Sequence, residues 1–337
     1  MREYYDYTEA TRQEWLQARR NGIGASETAA ILYANPWSTP YQVWLDKTGK
    51  VPLDDGVDSW RMKLGRTLED LIVNETAEHY GWRVEKPRVI YQHDECDRCL
   101  YTPDGMAYDG GGVLIPIEAK TSSVASMWDD GPPLSYQFQA MQALAVTGAE
   151  RCIIAAVLFT NGAQEPKYYE VQRDPEVIRA ILEAIDLFWS RYVETDTPPP
   201  LAAADAPLAL QYTEQIADKM QVLDADREYD VCALVDDYEQ ASEEEKAAKK
   251  RKDSAKATLL GLMGDAEYGV TPKHVIKLSK WDADRFDQTA FKADEPELYE
   301  KYKKPVSSHR MTIKQIDALK GKELARVREV LQIGGVE

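Results

Sequence analysis

Two hydrophobic periodicities alternate along the first 200 residues of the chain. Apolar side chains that recur every three or four positions predict helices over residues 26–32, 40–48, 60–80, 135–146 and 175–192. Short apolar or alternating segments bounded by turn residues predict strands over residues 83–91, 100–108, 113–120, 152–159 and 167–172. The pattern therefore predicts an α/β or α+β domain in which helices flank a central mixed sheet.

Three prolines at 198–200 end the last of these helices, because proline lacks the backbone donor that a helix interior needs. A linker is expected at 202–207. From about residue 208 to residue 263, apolar side chains recur in places at three-, four- and seven-residue steps, which predicts one or two long, coiled-coil-like helices. We therefore predict three regions: a domain at 1–200, a long helical segment at 201–265 and a small α+β domain at 266–337.

The 337 residues are 44% hydrophobic, which supplies enough apolar surface for a sizeable core and excludes a wholly disordered chain. No run of about 18 apolar residues occurs, so neither a transmembrane helix nor a membrane partner is predicted. The polar, acidic first residues do not resemble the apolar core of a signal peptide. Four cysteines are too few for a disulfide framework, and a cytoplasmic location is therefore expected.

The formal net charge is −17 at pH 7, and it is distributed unevenly. Residues 1–200 carry 19 basic and 31 acidic residues, residues 201–239 carry 2 and 10, and residues 240–337 carry 20 and 17. Such an acidic protein does not coat nucleic acid through bulk charge. Any contact with DNA must instead depend on a few placed cations, a bound metal ion and the more basic C-terminal region.

The strongest candidate chemistry lies on a predicted β-hairpin. A turn with the sequence Asp-Gly-Gly-Gly at 109–112 separates two strand-like segments and brings Asp104 near Glu118. Because side chains on a strand alternate between its two faces, Glu118 and Lys120 share one face. Two carboxylates and a lysine at the end of a buried strand are unfavourable without a bound cation or ligand. Carboxylates suit Mg²⁺ or Mn²⁺, which would support phosphodiester hydrolysis.

The order of Asp104, Glu118 and Lys120 matches the PD-(D/E)xK nuclease signature, with Pro103 directly before the aspartate. The signature is short enough to occur by chance, and a surface hairpin with a Glu–Lys pair explains the same residues. Further motifs favour the nuclease, namely RRNGIGASETAAIL at 19–32, LGRTLE at 64–69 and YQFQ at 136–139. In this order, across about residues 15–190, they resemble the YqaJ-like viral recombinase family of phage exonucleases related to lambda exonuclease.

The resemblance implies a PD-(D/E)xK, restriction-endonuclease-like core and assigns roles within it. Asp104 and Glu118 would be metal ligands, with the backbone carbonyl of Ala119 as a further oxygen ligand. Lys120 would be the catalytic lysine. Glu69 would hold a metal-bound water or a second ion, so that one or two Mg²⁺ or Mn²⁺ ions act. Another catalytic residue, Gln139, would hydrogen-bond the lysine or the water.

The resemblance also implies a pocket for a terminal 5′-phosphate. Arg19 and Ser26 have the family's spacing, and Ser26 is expected to cap the following helix, whose N-terminus attracts phosphate. Arg20 competes with Arg19 for this role, and Thr102 offers a further hydroxyl. Tyr136 lies one turn before the active-site glutamine and is expected to pack beside it.

Two departures from the family pattern concern the same site. Residues 121–128 contain no Lys or Arg, although the family has a basic residue shortly after the catalytic lysine. Met141 stands where the family often has a second glutamine. The first departure weakens the expected phosphate pocket and leaves a strict preference for 5′ ends open.

The resemblance implies a Mg²⁺-dependent DNA exonuclease that degrades linear duplex ends, 5′→3′, and leaves 3′ single-stranded tails for recombination by strand annealing. The alternatives are an endonuclease or single-strand nuclease of the same fold, and a catalytically silent module that binds DNA ends or a partner. The expected partners are double-stranded DNA ends and a single-strand annealing protein. Relatives imply a homo-oligomer, a trimer, in the cytoplasm of a bacterial host if a phage encodes the chain.

Overall fold

The computed structural model describes residues 1–53, 60–159, 166–212, 219–221, 223, 230–280, 286–303, 313–314 and 316–333. The chain forms two compact units, Met1–Glu214 and Gln215–Glu337. The first unit extends past the expected boundary at residue 200. Asp205 lies buried within it and accepts a hydrogen bond from the Thr39 hydroxyl at 2.6 Å. Asp205 therefore attaches the segment 202–207 to the first unit, while the other residues of the segment are exposed.

Helices and strands alternate along the first unit. Its strands are β1 (Arg2–Asp6), β2 (Ile23–Gly24), β3 (Arg83–Glu85), β4 (Val89–Gln92), β5 (Cys99–Tyr101), β6 (Gly105–Tyr108), β7 (Leu114–Ser122), β8 (Arg151–Leu158) and β9 (Lys167–Gln172). Its helices are α1 (Arg12–Arg19), α2 (Ala25–Ile31), α3 (Pro40–Lys47), α4 (Trp60–Tyr80), α5 (Leu134–Thr147), α6 (Pro175–Phe188) and α7 (Ala206–Tyr212). The expected mixed α/β class is confirmed.

Two of the expected strands are each broken into two. Residues 83–91 form β3 and β4, which are separated by Pro87, and residues 100–108 form β5 and β6, which are separated by Pro103. Because proline has no N–H to donate to a ladder, the chain leaves one sheet and enters another at each of these points. The second break places Asp104 in the connection between the two sheets.

The central sheet has five strands in the order β3-β6-β7-β8-β9, and a second sheet has four in the order β1-β4-β5-β2. In the central sheet β7 pairs antiparallel with β6 and parallel with β8, so the sheet is mixed, as expected. The chain from β7 to β8 passes through α5, as a parallel pair requires.

The two faces of the central sheet pack against different helices. One face of β7 contributes Ile115 and Ile117 to a core with Ile72 and Val73 of α4. The opposite face belongs to a larger core that includes buried residues of α5 and α6. Since side chains alternate along β7, Glu118 points toward the α5 side.

The second unit contains α8 (Val231–Met263), β10 (Tyr268–Val270), β11 (Val275–Lys277), α9 (Gln288–Asp294), α10 (Pro296–Tyr302) and α11 (Gly321–Ile333). In this region the sequence predicts a helix over 288–302 that is interrupted near Pro296, and a short strand over 310–313. The interruption is confirmed between α9 and α10, while residues 310–312 lie outside the described residues. Among the helices that the structure describes, none is long and apolar enough to cross a membrane.

Gly105, the first residue of β6, directly follows Asp104 and has no room for a side chain. A methyl group there would lie 2.5 Å from Cγ1 of Val73 in α4. We predict that Gly105→Ala lowers the free energy of unfolding by about 1–3 kcal/mol. Adding Val73→Ala should recover part of that loss, because it removes the clashing group. Urea denaturation of the wild type, both single variants and the double variant measures this coupling.

Gly110→Ala is the matched control, because Gly110 lies in the turn of the same hairpin and no atom lies within 4 Å of the added methyl. It should change the free energy of unfolding by less than about 0.5 kcal/mol. Strictly additive effects of the Gly105 and Val73 substitutions would contradict the predicted contact.

Candidate active site

The β6–β7 hairpin brings Asp104 to the middle of β7. Gly105 pairs with Ile117 across the hairpin, and the carboxylate Oδ2 of Asp104 accepts a hydrogen bond from the backbone N–H of Ala119 at 2.9 Å. The expected turn closes the hairpin, with Asp109 Oδ1 accepting from the N–H of Gly111 at 2.9 Å. Asp104 therefore lies directly beside the strand that carries the second carboxylate.

Glu118 is fully buried, and its two carboxylate oxygens differ in their partners. Oε2 accepts hydrogen bonds from Nζ of Lys120 at 2.8 Å and from Nε2 of Gln139 at 2.5 Å. Nζ of Lys120 also reaches Oδ2 of Asp104 at 3.4 Å, so the shared face of Glu118 and Lys120 is confirmed. Gln139 therefore contacts Glu118 directly, and the expected hydrogen bond from Gln139 to the lysine or to a water stays a prediction.

The other oxygen, Oε1 of Glu118, is buried and has no hydrogen-bond partner among the described residues. The hydroxyl of Tyr101 is also buried without a bond of ordinary geometry. Burial, followed by the charge of Glu118, raises the pKa of Tyr101. Tyr101 therefore faces the carboxylate without satisfying it. Sequence analysis missed this residue, because a tyrosine in an apolar strand carries no distinguishing signal.

Burial and charge act in opposite directions on Glu118 and Lys120. Burial raises the pKa of Glu118 to about 7, against the lowering effect of the Lys120 charge. Burial alone would lower the pKa of Lys120, but the charges of Glu118 and Asp104 outweigh it and hold that pKa well above its ordinary value. Lys120 therefore stays charged and links both carboxylates.

Glu69 approaches the same region from α4, the helix on the other face of the sheet. It is half-buried, and burial followed by the charge of Asp104 raises its pKa to about 7. The charge of Lys120 opposes this shift. The burial of Glu69 and the effects of the Asp104 and Lys120 charges on it agree with the predicted inward orientation of its side chain.

The donor set fits a magnesium ion held by few protein ligands. Asp104 and Glu118 provide two carboxylates, and the unpartnered Oε1 of Glu118 is a buried acceptor that a cation would satisfy. In the part of the chain that the structure describes, no three His, Cys, Asp or Glu side chains converge as a metal site. Mg²⁺ commonly binds through one or two carboxylates and retains several waters.

Tyr136 lies beside Lys120, with the lysine Nζ 5.7 Å from the centre of the ring. The ring stacks on the buried Trp128 at a centroid distance of 5.4 Å. Tyr136 and Gln139 thus project from one face of α5 toward Lys120 and Glu118 of β7, as their spacing predicts. Met141, the departure from the family pattern, is buried in the core on another side of α5.

Arg19 and Ser26 meet at the start of α2. Nη2 of Arg19 donates to Oγ of the exposed Ser26 at 3.4 Å, and its guanidinium lies 5.0 Å from the centre of the Trp15 ring. Ser26 is not the helix cap, contrary to expectation. Gly24 holds that position, and its N–H is bound by the carboxylate of Glu27 at 2.8 Å, so the helix begins one residue before Ser26.

Arg20, the competing candidate, has a different role. Its Nε donates to Oδ1 of Asp46 at 3.0 Å and its Nη2 donates to the carbonyl of Val51 at 2.6 Å. These bonds tie the end of α1 to α3. Thr102 is half-buried and lies between β5 and Asp104.

Two buried polar residues that sequence analysis missed hold these segments in place. The side chain of Lys47 is fully buried and donates to Oε1 of Glu27 at 2.8 Å and to the carbonyl of Arg19 at 3.2 Å. Gln142 is fully buried and donates to the carbonyls of Ile23 at 2.9 Å and Leu100 at 2.8 Å. A polar residue inside the apolar stripe of α5 was the available signal for Gln142.

Two comparisons with known proteins bear on this chain. Residues 14–150 match the family described as the YqaJ-like viral recombinase domain. The uncharacterized protein YqaJ of Bacillus subtilis (strain 168) is 33% identical over 316 residues, which cover 92% of this chain and 96% of that protein. The chain belongs to the YqaJ-like viral recombinase family. The family identified from the four sequence motifs is thereby confirmed.

Solved structures of low sequence identity resemble the YqaJ-like chain. An alkaline exonuclease (LHK-Exo) from Laribacter hongkongensis is 16% identical, covers 60% of this chain and 100% of its own, and has a TM-score of 0.44. A phage related exonuclease from Haemophilus somnus 129PT is 12% identical, covers 52% of this chain and 96% of its own, and has a TM-score of 0.37.

The raised pKa of Glu69 predicts a pH-dependent stability for the metal-free YqaJ-like chain. Since its pKa is higher folded than unfolded, the folded state binds more protons between about pH 4.5 and 7, and stability falls as pH rises through that window. Glu69→Gln removes the ionisation. At pH 8 we expect the free energy of unfolding of the variant to be about 1–2 kcal/mol higher than that of the wild type, after allowance for solvent screening.

Urea unfolding at pH 5, 6, 7 and 8 in the presence of a chelator measures this effect. The slope with pH should shrink without vanishing, because Glu118 keeps its own contribution. Glu78→Gln, an exposed position on the same helix, serves as the control. Equal pH slopes for the wild type and Glu69→Gln would contradict the prediction.

Proposed function

We propose that the chain is a Mg²⁺-dependent deoxyribonuclease of the PD-(D/E)xK class. It acts as an exonuclease on the ends of linear duplex DNA, 5′→3′, and leaves 3′ single-stranded tails for recombination by strand annealing. The observation that carries the proposal is the convergence of Asp104, Glu118 and Lys120 beside the middle of β7, with one buried carboxylate oxygen left without a partner.

Each residue has a chemical role in this proposal. Asp104, Glu118 and the carbonyl of Ala119 would hold Mg²⁺ or Mn²⁺, and Glu69 would hold a water of that ion or a second ion. The metal would supply a Lewis acid that stabilises negative charge on the reacting phosphate. Lys120 stays protonated between the carboxylates, so it can orient the attacking water and stabilise the transition state.

Gln139 completes the arrangement from α5. Its amide donates to the same oxygen of Glu118 that Lys120 binds, which fixes the direction of the carboxylate. The other oxygen, Oε1, keeps no partner among the described residues and would be a ligand of the cation. Tyr136 and Trp128 form an apolar wall behind the lysine and limit the access of water.

The Arg19–Ser26 pair is the proposed site for the terminal 5′-phosphate. The arginine fork and the serine hydroxyl both suit phosphate oxygens, and the free N–H groups at the start of α2 add donors. Thr102 adds a hydroxyl from the segment that leads to Asp104. Arg20 is committed to Asp46 and Val51, which favours Arg19 over Arg20 for this role.

Removal of either side chain at the core of the site should abolish hydrolysis. Asp104→Asn weakens the hold on the cation, and Lys120→Met removes the only charged donor that the structure places between the described carboxylates. We expect each variant to lose at least about 100-fold in rate on end-labelled linear duplex with Mg²⁺. Asp70→Asn, an exposed aspartate on α4, should retain wild-type activity.

Three results would contradict the proposal. Cleavage of closed circular duplex would exclude a strict exonuclease. Activity that survives in both Asp104→Asn and Lys120→Met would place the chemistry elsewhere. No cleavage of any DNA by the folded wild type, with Mg²⁺ or Mn²⁺, would favour a silent module that binds DNA ends.

The phosphate pocket predicts a preference for 5′-phosphorylated ends. The wild type should digest a 5′-phosphorylated duplex faster than the 5′-hydroxyl duplex of the same sequence. Arg19→Ala should reduce that ratio by about tenfold, since a charged hydrogen bond contributes about 1.5–3 kcal/mol. Its control is Arg83→Ala, which removes an exposed arginine on β3 and should leave the ratio unchanged. Equal wild-type rates on both ends would discard the pocket while leaving the catalytic proposal intact.

A further inference from the structure

Helix α8 carries a continuous heptad seam. Ten positions recur at alternating steps of three and four residues along its 33 residues, and eight of them are apolar. The seam consists of Val231, Leu234, Tyr238, Ala241, Glu245, Ala248, Lys252, Ala255, Leu259 and Leu262. The two polar members lie near its middle. A seam of this length, about 50 Å, is typical of a helix that packs against another helix.

The seam is uncovered within the second unit. The structure describes every residue of α8, and none of them is buried. Leu234 is 53% exposed, Tyr238 47% and Leu262 80%. Single exposed apolar residues are common on protein surfaces, but an aligned row along one helix face indicates an interface.

The charges of α8 are separated into two blocks. Residues 236–245 contain six acidic residues and no basic one, and residues 246–256 contain six basic residues and one acidic one. The helix macrodipole favours such charges only within the first and last turns, whereas these blocks occupy the middle of the helix. The separation therefore requires another explanation.

A second copy in the opposite direction satisfies both observations. We propose that α8 pairs with α8 of another copy of this chain as an antiparallel two-stranded coiled coil. In the register that aligns the two seams, their layers pair Val231 with Leu262, Tyr238 with Ala255, Glu245 with Ala248, Lys252 with Ala241, and Leu259 with Leu234 of the other copy. Each large residue then lies opposite an apolar one, and the two-fold axis passes between residues 246 and 247.

The charge blocks support the same register independently. They change sign between Glu245 and Lys246, almost at the proposed two-fold axis, so the acidic half of each helix lies along the basic half of the other. In adjacent layers Glu245 of one copy lies beside Lys252 of the other. At the flanking positions Glu244 lies beside Arg251 of the second copy. A parallel pair would instead place Glu245 against Glu245 and Lys252 against Lys252, which is unfavourable.

The pairing is separate from the nuclease proposal, because it involves only the second unit. It also differs from the trimer that the family resemblance implies, since complete pairing of α8 requires an even number of copies. The predicted contact therefore adds a two-fold interface to any contact that the nuclease units make.

Charge reversal in the full-length protein tests the pairing. Glu245→Lys alone places the new lysine of each copy beside Lys252 of the other copy. Lys252→Glu alone places the new glutamate of each copy beside Glu245 of the other copy. Each should weaken self-association in sedimentation equilibrium by about tenfold or more. The double variant Glu245→Lys/Lys252→Glu restores opposite charges across the antiparallel interface and should recover wild-type association. Failure of the double variant to recover, or a monomeric wild type, would overturn the proposal.

Cross-linking decides the direction of the helices. In a Cys232→Ser background, which removes the exposed native thiol, Leu234→Cys protein is mixed with Leu259→Cys protein and treated with a short bis-maleimide. The antiparallel register predicts a cross-link only between the two different proteins. Cross-links within either protein alone would indicate a parallel pair, and no cross-link in the mixture would show that α8 does not pair; either result overturns the proposal, whatever the nuclease assays show.

Discussion

Burial of the Glu118 carboxylate in the central sheet is the constraint on which the candidate site depends. A carboxylate without exposure is strongly destabilising unless nearby donors compensate it. Lys120 and Gln139 satisfy one of its oxygens, so α5 must pack beside the middle of β7 at a fixed position. The second oxygen has no partner among the described residues, so its desolvation is uncompensated at the place where the second carboxylate, Asp104, approaches. A bound cation would offset this desolvation free energy and would be ligated by both carboxylates.

Buried polar side chains also hold the proposed phosphate pocket against the catalytic hairpin. Gln142 binds the carbonyls of Ile23 in β2 and Leu100 in β5, and the hydroxyl of Thr28 in α2 donates to its amide oxygen. One side chain of α5 therefore connects the helix that presents the pocket to the strand that leads toward Asp104. Because α5 also carries Gln139, the two parts of the proposed site share one support. Such networks fix geometry strongly when every member is satisfied.

The sequence predicted the parts of the site that depend on local pattern. Strand alternation placed Glu118 and Lys120 on one face, and the turn at 109–112 placed Asp104 beside them, because both effects act over a few residues. The prolines that split two strands between sheets were visible, but which sheet each half joins depends on long-range pairing. Likewise, the partner of Gln139 and the contacts of Arg20 depend on how helices pack, which no local pattern contains.

The uneven net charge gains a structural meaning from α8. The compositional step between residues 239 and 240 falls inside this one helix, so it does not separate two domains. The helix itself is nearly neutral, with seven acidic and six basic residues, because its blocks of opposite sign balance. The excess of acid therefore belongs largely to the first unit, where 31 acidic residues face 19 basic ones over residues 1–200. Proposed contact with DNA must then depend on individually placed cations such as Arg19 and on the metal, because the surrounding field repels phosphate.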